Sequence, residues 1–296
     1  MTISRIPSAC LAALFIASAH ASGDETRPGC ATGDKACAIA KARAHPVRSA
    51  GAWREAMTRP VEERIAHGDA AMVDYLTLDN IGNGYPERPK IAANDAGFER
   101  DLRAAMRELP AAVKRVVAAK LAGIRLAATI AAPAADDRKH AIQYILLHEL
   151  AHVLAIGGRV HPSWAQAPAS IGDPAAYPFF ALSWRVAEGR YATRFDEGFP
   201  QRKEIVYYFG AKLDGAGMRP AYEWLERTDF ATLYSATHPA DDFAEAFANY
   251  VHVVMMKRPF EVRILEGGKL VKSYRPCWEQ ERCRRKREIV EGMLGP

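Results

Sequence analysis

Asp137-Arg-Lys-His140-Ala-Ile-Gln-Tyr-Ile-Leu-Leu-His148-Glu149-Leu-Ala-His152-Val-Leu-Ala-Ile156 is the stretch whose reading decides the fold. Its apolar positions, Ile142, Ile145, Leu146 and Leu150, fall on one broad helical face. Asp136 or Asp137 can cap the start, and Gly157-Gly158 end it, which predicts a buried central helix. A helix turns about 100° per residue, so His148 and His152 stack on one side and can aim two imidazole nitrogens at one ion. Glu149 lies one step round, beside such an ion, where its carboxylate can take a proton from a water that zinc has brought to a pKa near about 7. Two imidazoles leave the site short of a third protein ligand, so the rest of the chain must supply one.

The next informative stretch is Tyr234-Ser-Ala-Thr-His238-Pro-Ala-Asp241-Asp-Phe-Ala-Glu245-Ala-Phe-Ala-Asn-Tyr-Val-His252. Pro239 suits the first turn of a helix, and Asp241 and Asp242 suit its positive end, so a helix is expected from here to about Lys257. Asp241 and Glu245 share a face, while Phe243, Phe247, Tyr250 and Val254 lie toward another for packing. One of the two acids can bind zinc while the other, a turn away, accepts a hydrogen bond from a ligand histidine. His161, His238 and His252 are lesser ligand candidates, read as surface or packing histidines.

Together the two stretches resemble the gluzincin metallopeptidases of the lethal factor catalytic-domain group, which includes the Pro-Pro endopeptidases. That group carries H-E-x-x-H, then a Tyr, then seven residues later a third ligand in a context like E-x-F-A-E-A-F. Tyr234 and Asp241 stand at that separation, and Asp241-Asp-Phe-Ala-Glu-Ala-Phe247 follows the context. The resemblance spans roughly residues 95 to 258. It implies one Zn2+ held by His148, His152 and Asp241, Glu149 as the catalytic base, Tyr234 as a hydrogen-bond donor to the oxyanion, and Glu245 as a supporting carboxylate. The third ligand is Asp where the family has Glu. An Asp reaches one methylene less, so either its helix sits closer to the ion or Glu245 takes the position. The metzincin pattern fails, because Ala155 and Gly158 stand where it needs Gly and His.

Composition fits an ordinary globular protein of 296 residues, 49% hydrophobic and 25% charged. Arg5, an apolar run from Ala9 to Ala19 and Ala19-His20-Ala21 read as a cleavable export signal over residues 1–21, which predicts a periplasmic or secreted protein. No later stretch is apolar enough to span a membrane. Four cysteines remain after such cleavage, Cys30, Cys37, Cys277 and Cys283. The preferred pairing is local, Cys30 with Cys37 and Cys277 with Cys283, because each closes a short loop. The formal charge is a mild +5, concentrated in Arg282, Arg284, Arg285, Lys286 and Arg287 of the tail, which read as a solvated helix face. No nucleic-acid motif accompanies them.

The expected fold class is α+β, a zincin-like metallopeptidase fold, mainly helical with a small sheet and a C-terminal β-hairpin. Residues 22–94 form an N-terminal helical arm, largely helix over 51–80. Residues 95–296 form the catalytic domain, with a strand over 122–130, an aromatic region over 157–234, a hairpin turning at Gly267-Gly268 and a basic tail helix near 281–294. The function these readings predict is exported, zinc-dependent cleavage of peptide bonds in a peptide or protein substrate. Two rivals stand beside it: a non-catalytic zincin-scaffold module that binds a protein partner, and a peptidase acting on cell-wall peptide stems.

Overall fold

A computed structural model describes residues 14–18, 29–31, 33–45, 57–67, 70–82, 96–126, 138–163, 166–205 and 213–295. The described residues divide into two compact units, one ending at Glu149 and the other beginning at Leu150. The fold is mainly helical, with small sheets.

In the first unit, α1 (Lys35–Ala44) starts where Asp34 accepts a hydrogen bond from the Cys37 amide at 2.9 Å. The Cys30–Cys37 disulfide closes the loop ahead of it, in the local pairing expected. Helices α2 (Ala70–Gly82), α3 (Ala96–Arg107) and α4 (Ala111–Ala118) follow. Leu102, Ala105 and Met106 bury one stripe of α3, and Val113 and Val117 one stripe of α4. Strand β3 (Leu121–Leu126) is the centre of a three-stranded sheet. It pairs antiparallel with β1 (Leu14–Ser18), which belongs to the expected export signal, and parallel with β2 (Ile65–His67).

Strand β2 corrects the helix expected over 51–80. Met57–Pro60 is a turn, Val61–Glu63 a single tight helical turn, and α-helix begins only at Ala70. Pairing with β3 outweighs the helical spacing of Val61 and Ile65. The buried Arg64 guanidinium then donates to four carbonyls, those of Met57, Arg59, Leu121 and Ala118, the last of these an open carbonyl at the C-terminus of α4. Residues 51–56, 127–137 and the junction at 94/95 lie outside the described residues, and with them the cap expected at Asp136 or Asp137.

Helix α5 (Arg138–Ala155) carries the H-E-x-x-H stretch. The fully buried Gln143 donates to the Ala105 carbonyl of α3 at 2.8 Å, and Leu146, Leu147, Leu150 and Ala151 are shut off from solvent. Gly157, at φ +70°, follows its end, as a helix terminus favours.

The second unit is built on aromatic packing. Phe179, Phe180, Phe199, Phe230, Phe243, Phe247 and Tyr274 are all fully buried. Among the described aromatic residues between 157 and 234, Phe179, Phe180, Trp184, Phe199, Tyr222 and Phe230 therefore form core; Trp164, Tyr207, Tyr208 and Phe209 lie outside the described residues. Strands β4 (Trp184–Ala187) and β5 (Arg190–Thr193) form a hairpin turned by Glu188 and Gly189, both at positive φ. Helix α6 (Gly215–Leu225) is capped by Asp214, and α7 (Pro239–Tyr250) by His238. The chain leaves α7 through a π-helical turn, Val251–Met255, and Lys257 at φ 56° ends the run. Strands β6 (Val262–Glu266) and β7 (Lys269–Tyr274) make the expected C-terminal hairpin, turned by Gly267 and Gly268 at φ 56° and 81°. These are the signs a two-residue turn requires to match the twist of its strands. The Cys277–Cys283 disulfide then leads into α8 (Arg284–Leu294).

Candidate metal centre

Helix α7 is buried at every position from Pro239 to Tyr250, acids included. Phe243 and Phe247 supply the driving force, and Phe179 meets Phe243 edge-on at 5.3 Å between ring centroids. The acids on such a helix need partners, because an isolated buried carboxylate is too costly to keep charged. Each acid of the first two turns has found a different solution.

Asp241 meets the histidines of α5. His148, His152 and Asp241 each offer one ligand atom within 4.8 Å of the others, the one such group among the described residues with the chemistry to hold a metal ion. His152 Nε2 stands 3.6 Å from Asp241 Oδ1, and the Thr237 hydroxyl donates to Oδ2 at 3.4 Å. In a tetrahedral zinc site with bonds of about 2.0–2.1 Å, neighbouring ligand atoms lie about 3.3 Å apart. The His152–Asp241 separation is close to that, and two imidazoles with one carboxylate are a donor set that zinc accepts. The residues present therefore have the donor chemistry to hold a metal ion.

Glu149 is half-buried on the turn between the two histidines. Burial pushes its carboxyl up to about 6, against the opposing pull of His148. Glu245, one turn beyond Asp241, accepts a hydrogen bond from the Thr232 hydroxyl at 2.7 Å. Tyr222 is buried, and with the Glu245 charge acting on it its phenol is pushed up to about 12. Tyr234 opens the tight turn Tyr234–Ala236 that feeds α7, and its carbonyl accepts from the Thr237 hydroxyl at 2.7 Å.

The other histidines have different surroundings. His161 is buried against Phe243, with Nδ1 2.8 Å from the Pro162 carbonyl oxygen, and burial lowers its pKa. His238 accepts the Ala240 amide at Nδ1, and His252 is buried in the π-helical turn.

Asp242 has the most elaborate solution, and it corrects the reading of the tail as a solvated basic face at Lys286, while Arg284 and Arg285 are exposed as expected. Lys286 is 1% exposed, and its Nζ lies 2.6 Å and 2.7 Å from the two Asp242 oxygens. Trp184 Nε1 donates to Asp242 Oδ2 at 2.9 Å. Complete burial pushes the Asp242 carboxyl up to about 7, while Lys286 pulls it back down. A second acid, Asp229, lies 3.3 Å from Lys286 and is itself held by Ser183 and Arg194. Trp278 donates to Asn249 and Tyr250 donates to Glu291, so the tail meets α7 at its C-terminal end as well as at Asp242. The sequence did carry a signal. Cys283, Lys286, Val290 and Leu294 recur at helical spacing, which sets the lysine on the apolar stripe of α8.

Comparison of the chain with protein-family models, with curated proteins and with solved structures finds no match. The class is therefore defined by the site itself, a buried His-His-Asp cluster in a mainly helical α+β scaffold.

Proposed function

We propose that the chain is a zinc-dependent endopeptidase of the zincin type, exported, and acting on a peptide or protein substrate. The observation that carries the reading is the convergence of His148, His152 and Asp241, with Glu149 on the same helix as the two histidines. Zinc, when bound, supplies Lewis acidity that polarises a carbonyl and lowers the pKa of a water to about 7. His148, His152 and Asp241 would hold the ion. The Glu149 carboxylate takes the proton from the attacking water and passes it to the leaving amine, a role that suits a carboxyl raised by burial. Tyr234, in the turn ahead of α7, donates a hydrogen bond to the oxyanion, and Glu245 supports the ligand shell.

The export reading rests on the leader pattern of residues 1–21 and agrees with two disulfides, which persist in oxidising compartments. Among the described residues no helix is long and apolar enough to cross a membrane.

Glu149→Gln tests the mechanism. The variant is expected to bind zinc and fold as before while cleavage of a peptide library falls by about 10²–10⁴-fold. Unchanged cleavage would remove Glu149 from the chemistry, and cleavage that survives a chelator would remove the metal. A chain that cleaves nothing in the library and binds a protein partner equally with and without chelator is the non-catalytic binding module.

A further inference from the structure

Asp241 and Asp242 are neighbours on the first turn of α7, so whatever fixes one fixes the direction of the other, about 100° round the same axis. Asp242 is gripped from two sides. Lys286 of α8 binds both its oxygens, and the Trp184 indole of β4 binds one of them. The grip is dry: Asp242 is 0% exposed, and the Lys286 ammonium lies 4.6 Å from the Phe230 ring centroid and 5.1 Å from that of Phe179. In such low-dielectric surroundings charge-assisted hydrogen bonds are strong and directional. Lys286 is anchored in turn, because Asp229 lies 3.3 Å away and is tied to Ser183 and Arg194.

We infer that Lys286 and Trp184 are positioning residues for the metal site: by clamping Asp242 they set the rotation of α7 that aims Asp241 at the ion. The inference rests on Asp241 being a zinc ligand, and it accounts for how a short acid can do that job. A carboxylate on this helix stands roughly 5 Å from the axis, so a rotation of about 10° displaces it by close to about 1 Å. Metal–ligand distances tolerate only about 0.2 Å. A glutamate could absorb such a displacement in its extra torsion; an aspartate has one methylene less with which to do so. The shorter ligand therefore needs a helix that does not turn. The tail helix, which touches the site through no ligand of its own, supplies the restraint.

The test is a double-mutant cycle read as zinc affinity, measured by competition with a chromogenic chelator. Lys286→Met alone would leave the Asp242 carboxylate buried without its cation, so the clamp is removed as the uncharged pair Asp242→Asn with Lys286→Met, a replacement that buried ion pairs often tolerate. The pair is expected to keep its far-UV circular dichroism and to bind zinc about 10–100-fold more weakly. Adding Asp241→Glu should recover most of that loss in the unclamped protein and give no gain in the clamped one. A role confined to stability would not respond to ligand length in this way. Unchanged affinity in the unclamped pair overturns the inference, and so does an equal effect of Asp241→Glu in both backgrounds. If the pair does not fold, Trp184→Phe removes one donor, keeps a ring against Phe230, and is read by the same cycle. A wild-type chain that binds no zinc overturns the inference and the proposed function together. Tight zinc binding without peptide cleavage overturns the proposed hydrolysis alone.

Discussion

Helices α5 and α7 both carry ligands of one candidate site, yet they are built in opposite ways. Along α5, Tyr144, Ile145, Glu149 and His152 form a half-buried stripe, while Leu146, Leu147, Leu150 and Ala151 are sealed. Along α7 no position from Pro239 to Tyr250 is open. An amphipathic helix displays its chemistry on the face that solvent or substrate can reach, and local spacing is enough to reveal it. A helix buried on all sides takes its chemistry from its surroundings. The roles of Asp241, Asp242 and Glu245 are set by Thr237, Lys286, Trp184 and Thr232, which lie as far as 58 residues away along the chain.

The contrast should be visible in unfolding experiments. Phe247→Ala, on the sealed helix, is expected to lower the unfolding free energy by about 3–5 kcal/mol in a denaturant titration, because the cavity it leaves is surrounded by other core side chains. Ile145→Ala, on the half-open stripe of α5, should lower it by about 1 kcal/mol or less. Equal effects would mean that α5 is as enclosed as α7 and that the stripe is no route to the site.

The same contrast explains what was legible in the sequence. His148, Glu149 and His152 announce a metal helix by spacing alone. Gly267-Gly268 announces a hairpin, because two adjacent glycines are suited to two consecutive positive φ angles. The local disulfide pairing followed from loop length. Strand β2 was hidden because Ile65–His67 is too short to show alternation and is specified by its neighbour β3. Arg64 was hidden because its partners are backbone carbonyls, which leave no mark on a sequence. Lys286 was misread because four arginines surround it in a run that looks solvated, although its spacing with Cys283 and Val290 places it inward. The buried partner of an acid is decided by tertiary packing, so the third ligand was legible as a choice between Asp241 and Glu245 and not as one residue.

The most direct measurement is the zinc content of the purified chain by elemental mass spectrometry, taken for the wild type, Asp241→Ala and Glu245→Ala. One ion per wild-type chain, lost in Asp241→Ala and retained in Glu245→Ala, is the predicted result. A wild type that carries no zinc after exposure to it, or an Asp241→Ala chain that keeps its full complement, would contradict the account.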